Sequence, residues 1–249
     1  MRVLLTLMVA LIGLGCRPSP VRPQRLHTYV LVHGAWGGGW DWRAVDSMLT
    51  HRGHRVLRVT LTGQGERVHL ASPDIGLSTH VADVVNTILW EDLHDVVLVG
   101  HSYGGMVATG VVDRIPEHIR QVVYVDAFLP ESGETALGLA DPSGNGFVRA
   151  TVHRGMSVPP WVTDTLAVPR DVPQSIRTFT DTLRLVNPAG RLVPGIYILT
   201  VEPTASPDPF QRFAERAAAR GWPVYRIQSD HNAQRSARGP LVALLDQVP

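Results

Sequence analysis

Two periodicities alternate along this chain. Short runs dominated by apolar residues, at 28–32, 55–59, 96–99, 122–125, 195–200 and 224–227, are separated by stretches in which apolar residues recur every three or four positions. An apolar run without polar alternation is the pattern of a strand buried on both faces. The stretch 41–50, with Trp42, Val45 and Leu49, aligns its apolar side chains on one face of a helix. So does the stretch that begins at Ser78, with Val81, Val84, Val85, Ile88 and Leu89. Residues 105–112, 210–220 and 241–245 supply further helices. Short strands alternating with helices predict an α/β chain whose mostly parallel sheet is doubly wound.

One segment breaks the alternation. Residues 130–194 are rich in proline, glycine and polar side chains, with helical potential only around 172–185. An excursion of that length between two core strands predicts a cap over the active site, at about 131–190. Phe147, Met156, Trp161 and Phe179 give the cap an apolar inner surface.

Composition narrows the classes of function. A chain of 249 residues suits one α/β domain, at 28–249. A net charge of +1 offers no electrostatic case for nucleic acid. Every basic residue is arginine, so Schiff-base chemistry on lysine is excluded. The 11 histidines are scattered, and none has zinc-site spacing with cysteine or carboxylate neighbours. No metal or organic cofactor is expected.

The N-terminus reads as a targeting segment at 1–16, followed by a proline-rich tether at 17–27. An apolar run from Val3 to Leu14 follows Arg2 and is too short to span a bilayer. Leu14-Gly15-Cys16 resembles the end of a bacterial lipoprotein signal, although Gly13 stands where leucine is usual. The expectation is a bacterial envelope or secreted protein, lipid-anchored at Cys16 or carrying an ordinary signal peptide. Cys16 is the only cysteine, so no intramolecular disulfide forms.

The chemistry centres on Gly100-His101-Ser102-Tyr103-Gly104, which sits between the run 96–99 and the helix-like stretch 105–112. Strand, Gly-x-Ser-x-Gly, helix is the context of a nucleophile elbow, a strained turn that exposes the serine Oγ. Ser102 is therefore the candidate nucleophile, and it needs a base that is oriented by a third group. In enzymes with such an elbow the acid and the histidine follow the serine in the chain. Of His118, His153 and His231, only His231 follows the last strand, on a loop at the carboxyl end of the sheet. Two strand ends can supply the acid. Asp126 directly follows the run 122–125 and is preferred for its tight strand end; Glu202, in a proline-rich loop, is the alternative. Oxyanion donors are expected at the backbone N–H groups of Tyr103, after the nucleophile, and Ala35, after the first strand. Trp36 and Phe128 are candidates to line the substrate pocket.

Leu31-Val32-His33-Gly34-Ala35-Trp36, Leu61-Thr62-Gly63-Gln64-Gly65-Glu66-Arg67, Gly100-His101-Ser102-Tyr103-Gly104-Gly105 and Tyr124-Val125-Asp126-Ala127-Phe128-Leu129-Pro130 together resemble the α/β-hydrolase superfamily. More narrowly they resemble the branch of plant methyl-ester esterases and hydroxynitrile lyases with bacterial relatives. The resemblance implies the α/β-hydrolase fold, with Ser102 as nucleophile, His231 as base, and the Ala35 and Tyr103 amides as oxyanion hole. The plant members place an aspartate after the penultimate strand, where this chain has Pro203 beside Glu202. That departure strengthens Asp126. The plant lyases carry a lysine after the catalytic histidine, where this chain has Asn232. The expected function is a serine-dependent hydrolase acting on a small to medium carboxylic ester through an acyl-enzyme. A lyase, or a binding protein of low turnover, is the alternative on the same fold. The expected partner is a small-molecule ester, with membrane contact only through an N-terminal lipid anchor.

Overall fold

Six parallel strands form the central sheet: β1 (Thr28–Val32), β2 (Arg55–Val59), β3 (Val96–His101), β4 (Ile119–Val125), β8 (Gly195–Val201) and β9 (Val224–Gln228). Their order is β2-β1-β3-β4-β8-β9. The computed structural model describes residues 26–141, 148, 151–202 and 208–249. The targeting segment, Cys16, most of the tether, Phe147 and Pro203 lie outside the described residues.

The apolar runs at 28–32, 96–99, 122–125 and 195–200 become central strands whose two faces are both covered, whereas the edge strands β2 and β9 stay largely exposed. Successive residues of each central strand enter opposite cores, as the two-residue period of a strand requires. Val30, Val32, Val96, Leu98, Tyr124 and Leu199 belong to one core. Tyr29, Leu31, Val97, Val99, Val123 and Ile198 belong to the other. Each fully buried aliphatic side chain contributes about 1.5–3 kcal/mol. The first core is closed by α2 (Leu77–Trp90), α3 (Gly104–Arg114) and α6 (Gln211–Ala219), and the second by α1 (Arg43–His51) and α7 (Arg238–Leu245). The helix expected at 41–50 begins instead as a 3-10 turn, Gly39–Trp42, and becomes α-helical at Arg43.

Between β4 and β8 the cap carries α4 (Ala136–Ala140), a three-stranded antiparallel sheet of β5 (Val152–His153), β6 (Met156–Ser157) and β7 (Gln174–Ser175), and α5 (Arg177–Thr180). The helical potential read at 172–185 is thus realised as a strand and a single helical turn. Two local features explain the difference. Pro173 cannot donate a helical hydrogen bond, and Gln174 and Ser175 pair with Ser157 and Met156. The cap is also tied to the body through Trp36. The Trp36 N–H donates to Gln174 Oε1 at 2.8 Å, its Nε1–H donates to Ser157 O at 3.2 Å, and its carbonyl accepts the Val172 N–H at 2.8 Å.

Candidate active site

The carboxyl ends of β1, β3 and β4 deliver three side chains from left-handed backbone: Trp36 (φ 62°), Ser102 (φ 53°) and Asp126 (φ 44°). Non-glycine residues adopt this region only when the surroundings impose it, at a cost of about 1–3 kcal/mol each. At Ser102 the constraint is visible. Its N–H donates to Val125 O at 3.3 Å, and its carbonyl accepts the N–H groups of Gly105 at 3.0 Å and Phe128 at 3.1 Å. The flanking glycines permit the turn. A Cβ on Gly100 would stand 2.7 Å from Gly104 O, and one on Gly104 would stand 2.8 Å from His33 O.

His231 sits on the loop after β9. Its Nε2 lies 2.9 Å from Ser102 Oγ and its Nδ1 lies 2.6 Å from Asp126 Oδ2. Asp126 is buried, its Oδ1 accepts the Thr200 N–H at 3.1 Å, and its own N–H donates to Ile198 O at 2.7 Å. The structure therefore brings Asp126 to the histidine. Glu202 is exposed at the end of β8, away from this chain of contacts. With Asp126 accepting the Nδ1 proton, His231 Nε2 is free to accept the serine proton. The Phe210 ring stacks on the imidazole at 4.7 Å and 20°.

Ala35 and Tyr103 flank the serine, and among the described residues neither backbone N–H has an acceptor. Tyr103 is the N-cap of α3, where the first N–H groups of a helix have no internal partner. Burial pushes the Tyr103 hydroxyl well above its ordinary range. That hydroxyl donates to His80 Nδ1 at 3.0 Å, and His80 Nε2–H donates to Thr62 O at 3.1 Å. The loop after β1 that carries Ala35 is held by His33, whose Nδ1–H donates to Gly34 O at 2.7 Å while Nε2 accepts the Leu61 N–H at 3.1 Å. Burial lowers the pKa of His33, and protonation would cost its acceptor bond.

Ser102 and His231 open into a cavity of about 360 Å³ whose walls include Ala35, Trp36, Trp161, Asp171, Asn232 and Arg235. Trp36 and Trp161 meet edge to face at 5.3 Å. Trp161 Nε1–H donates to Asp171 Oδ2 at 2.7 Å, and Arg235 bridges Asp171 and Asp41. Two other cavities, about 380 and 790 Å³, lie against α3 and beside Trp40. Neither is lined by Ser102 or His231, so chemistry rather than volume selects the site. Phe128, expected in the pocket, instead packs in the core against Phe210 and Phe213 and does not line the Ser102 cavity. The Asp41–Arg235–Asp171 bridge was not anticipated, because its members are far apart in the chain and no local pattern links them. Among the described residues no group of histidine, cysteine and carboxylate side chains is arranged to hold a metal ion.

A doubly wound parallel sheet with a strained serine at the turn after β3, facing a histidine after the last strand, defines the α/β-hydrolase class. The chain belongs to the alpha/beta hydrolase family, whose model matches residues 29–244. It is 39% identical over 224 residues to a carbendazim hydrolyzing esterase of Nocardioides sp. (strain SG-4G), covering 82% of this chain and 92% of that protein. It is 32% identical over 124 residues to methylesterase 1 of Arabidopsis thaliana, about half of each chain (49% and 47%). Among solved structures, an extracellular α/β-hydrolase from a Paenibacillus species superposes with a TM-score of 0.75 at 22% identity, over 88% of this chain and 97% of that one. That match attests the fold.

Proposed function

We propose that this protein is a serine esterase that hydrolyses small to medium carboxylic esters through an acyl-enzyme on Ser102. The observation that carries the reading is the linear chain Ser102 Oγ, His231, Asp126, with separations of 2.9 and 2.6 Å. Ser102 Oγ attacks the ester carbonyl as His231 Nε2 takes its proton. Asp126 keeps the imidazole in the required tautomer and stabilises the cation that forms. The Ala35 and Tyr103 N–H groups donate to the tetrahedral oxyanion; one such donor is worth about 3 kcal/mol in the transition state. His231 returns the proton to the departing alkoxide, and the alcohol leaves. Water then attacks the acyl-Ser102 ester by the same proton route, releasing the acid and restoring the serine.

Relatives named as esterases and methylesterases support the reaction class. The cavity volume of about 360 Å³ favours a substrate of modest size, near the lower end of small-molecule pockets. Asn232 follows His231, so the lysine of the plant lyases has no counterpart, which favours hydrolysis over cyanohydrin cleavage. The test is turnover of p-nitrophenyl acetate by Ser102→Ala, with an expected loss on the order of 10⁶ in kcat. Wild-type turnover by that variant would overturn the reading. The apolar segment ending at Cys16 supports a place in the bacterial envelope. Incorporation of labelled palmitate that is lost in Cys16→Ala tests the lipid anchor, and unlabelled wild-type protein would refute it.

A further inference from the structure

His101 lies between Gly100 and the nucleophile, and the hydrolytic sequence above gives it no step. It is 2% exposed, at the end of β3. Its Nε2 lies 2.9 Å from the carbonyl oxygen of His231, and its Nδ1 lies 3.3 Å from the amide nitrogen of Gln234. One tautomer satisfies both contacts: Nε2–H donates to the His231 carbonyl and Nδ1 accepts from Gln234. The His101 and His231 rings stand 4.7 Å apart at 42°, and Trp42 meets His101 edge to face at 6.3 Å. Gly34 closes the remaining side, where a Cβ would come 2.9 Å from His101 Nδ1.

We infer that His101 is a positioning residue, which fixes the main chain of His231 at the reach of Ser102. The loop that carries His231 lies beyond the last strand, and its neighbours Asp230 and Asn232 are exposed and half-buried. The side chain of His231 must meet Ser102 and Asp126 together, so its backbone must be held as well. The donor to that backbone is the residue adjoining the nucleophile, so one short segment sets the serine and the base relative to each other. A displacement of about 1 Å between such groups costs roughly 100-fold in rate.

The charge state agrees with this role. Burial holds the His101 imidazole well below its ordinary pKa, and the neighbouring His231, Arg235 and His33 add to the effect. His33 is itself neutral by burial, and Arg235 is paired with Asp41. His231 therefore takes up the serine proton beside a neutral ring.

The inference rests on the proposed roles of Ser102 and His231. The experiment compares His101→Leu, which removes the donor, with His101→Gln, whose amide can donate to the same carbonyl. We expect His101→Leu to lower kcat roughly 10- to 100-fold with KM within about threefold, and His101→Gln to recover most of it. The low-field proton resonance of the His231–Asp126 bond should broaden in His101→Leu and persist in His101→Gln. Wild-type kcat in folded His101→Leu, or no advantage for glutamine, would overturn the inference. If the leucine variant does not fold, Gln234→Leu takes its place. That change frees Nδ1 and should lower kcat at constant KM, and wild-type kcat there refutes the role. Activity that survives Ser102→Ala would instead remove the functional reading beneath it.

Discussion

Asp126 at the end of β4 accepts the backbone N–H of Thr200 in β8, 3.1 Å from its Oδ1, while its Oδ2 faces His231. The carboxylate that faces His231 thus comes from one strand and is held by the next. β8 contributes a backbone donor to the orienting group rather than the carboxylate itself. With one oxygen bonded to a rigid strand, the other can point only along one direction, which is what orienting an imidazole requires.

This arrangement predicts unequal effects at the two candidate acids. Asp126→Asn should lower kcat by roughly 10³- to 10⁴-fold, because an amide donating to Nδ1 selects the wrong tautomer. Glu202→Gln, at an exposed position, should stay within about twofold of wild type. Steady-state kinetics on p-nitrophenyl acetate checks both. The reverse ranking would move the acid to Glu202.

The cap should loosen when its tie to Trp36 is cut. Gln174 is buried and accepts the Trp36 N–H, so Gln174→Ala removes that hydrogen bond. Chemical denaturation should reveal a loss of about 1–3 kcal/mol. KM should rise, because the Trp36 wall of the cavity loses one of its three hydrogen bonds to the cap. Unchanged stability and KM would mean that the cap is held elsewhere.

Acid should destabilise the fold before the carboxylates titrate. Burial pushes His80 down from 6.5 to about 3, and His33 and His101 shift in the same direction for the same reason. The unfolded chain binds protons below its ordinary histidine pKa of about 6.5, whereas the folded rings stay neutral. Stability is therefore full above about pH 6.5 and falls toward pH 3, at up to about 1.4 kcal/mol per pH unit for each ring. Urea midpoints between pH 7 and 5 should decline, with a shallower slope in His80→Gln. Midpoints flat over that range would contradict neutral burial.

The cavity wall should select against anions. Asp41 and Asp171 bring two negative charges and Arg235 one positive, a formal sum of −1. A methyl phenylacetate that carries a para carboxylate should show a KM several-fold above that of the neutral ester. Added salt should narrow the gap, since such effects are screened within about 10 Å at 0.1 M. Asp171→Asn should narrow it too. Equal KM values for the two esters at low salt would show that the bridge is neutral toward substrate.

The sequence by itself determined the sheet, the elbow and the candidate base. Strands buried on both faces must be apolar throughout, so β1, β3, β4 and β8 are legible as runs. Ser102 is legible because the sharp turn needs small neighbours, which leaves Gly100 and Gly104 as a local signature. His231 follows from chain order and the position of the last strand. Tertiary structure decided what depends on distance across the fold. Asp126 and Glu202 both end strands, and only the packing of β4 beside β8 turns the Asp126 carboxylate toward His231. The segment 172–185 carries helical residues, yet Ser157 and Met156, about 18 residues back in the chain, pair with Gln174 and Ser175 and draw them into a strand. Phe128 read as a pocket residue, but its backbone N–H bonds the Ser102 carbonyl and its ring fills the core. The contacts of His101 and Arg235 are of the same kind. Hydrogen bonds and ion pairs between residues far apart in the chain leave no periodicity, so they are fixed only when the chain folds.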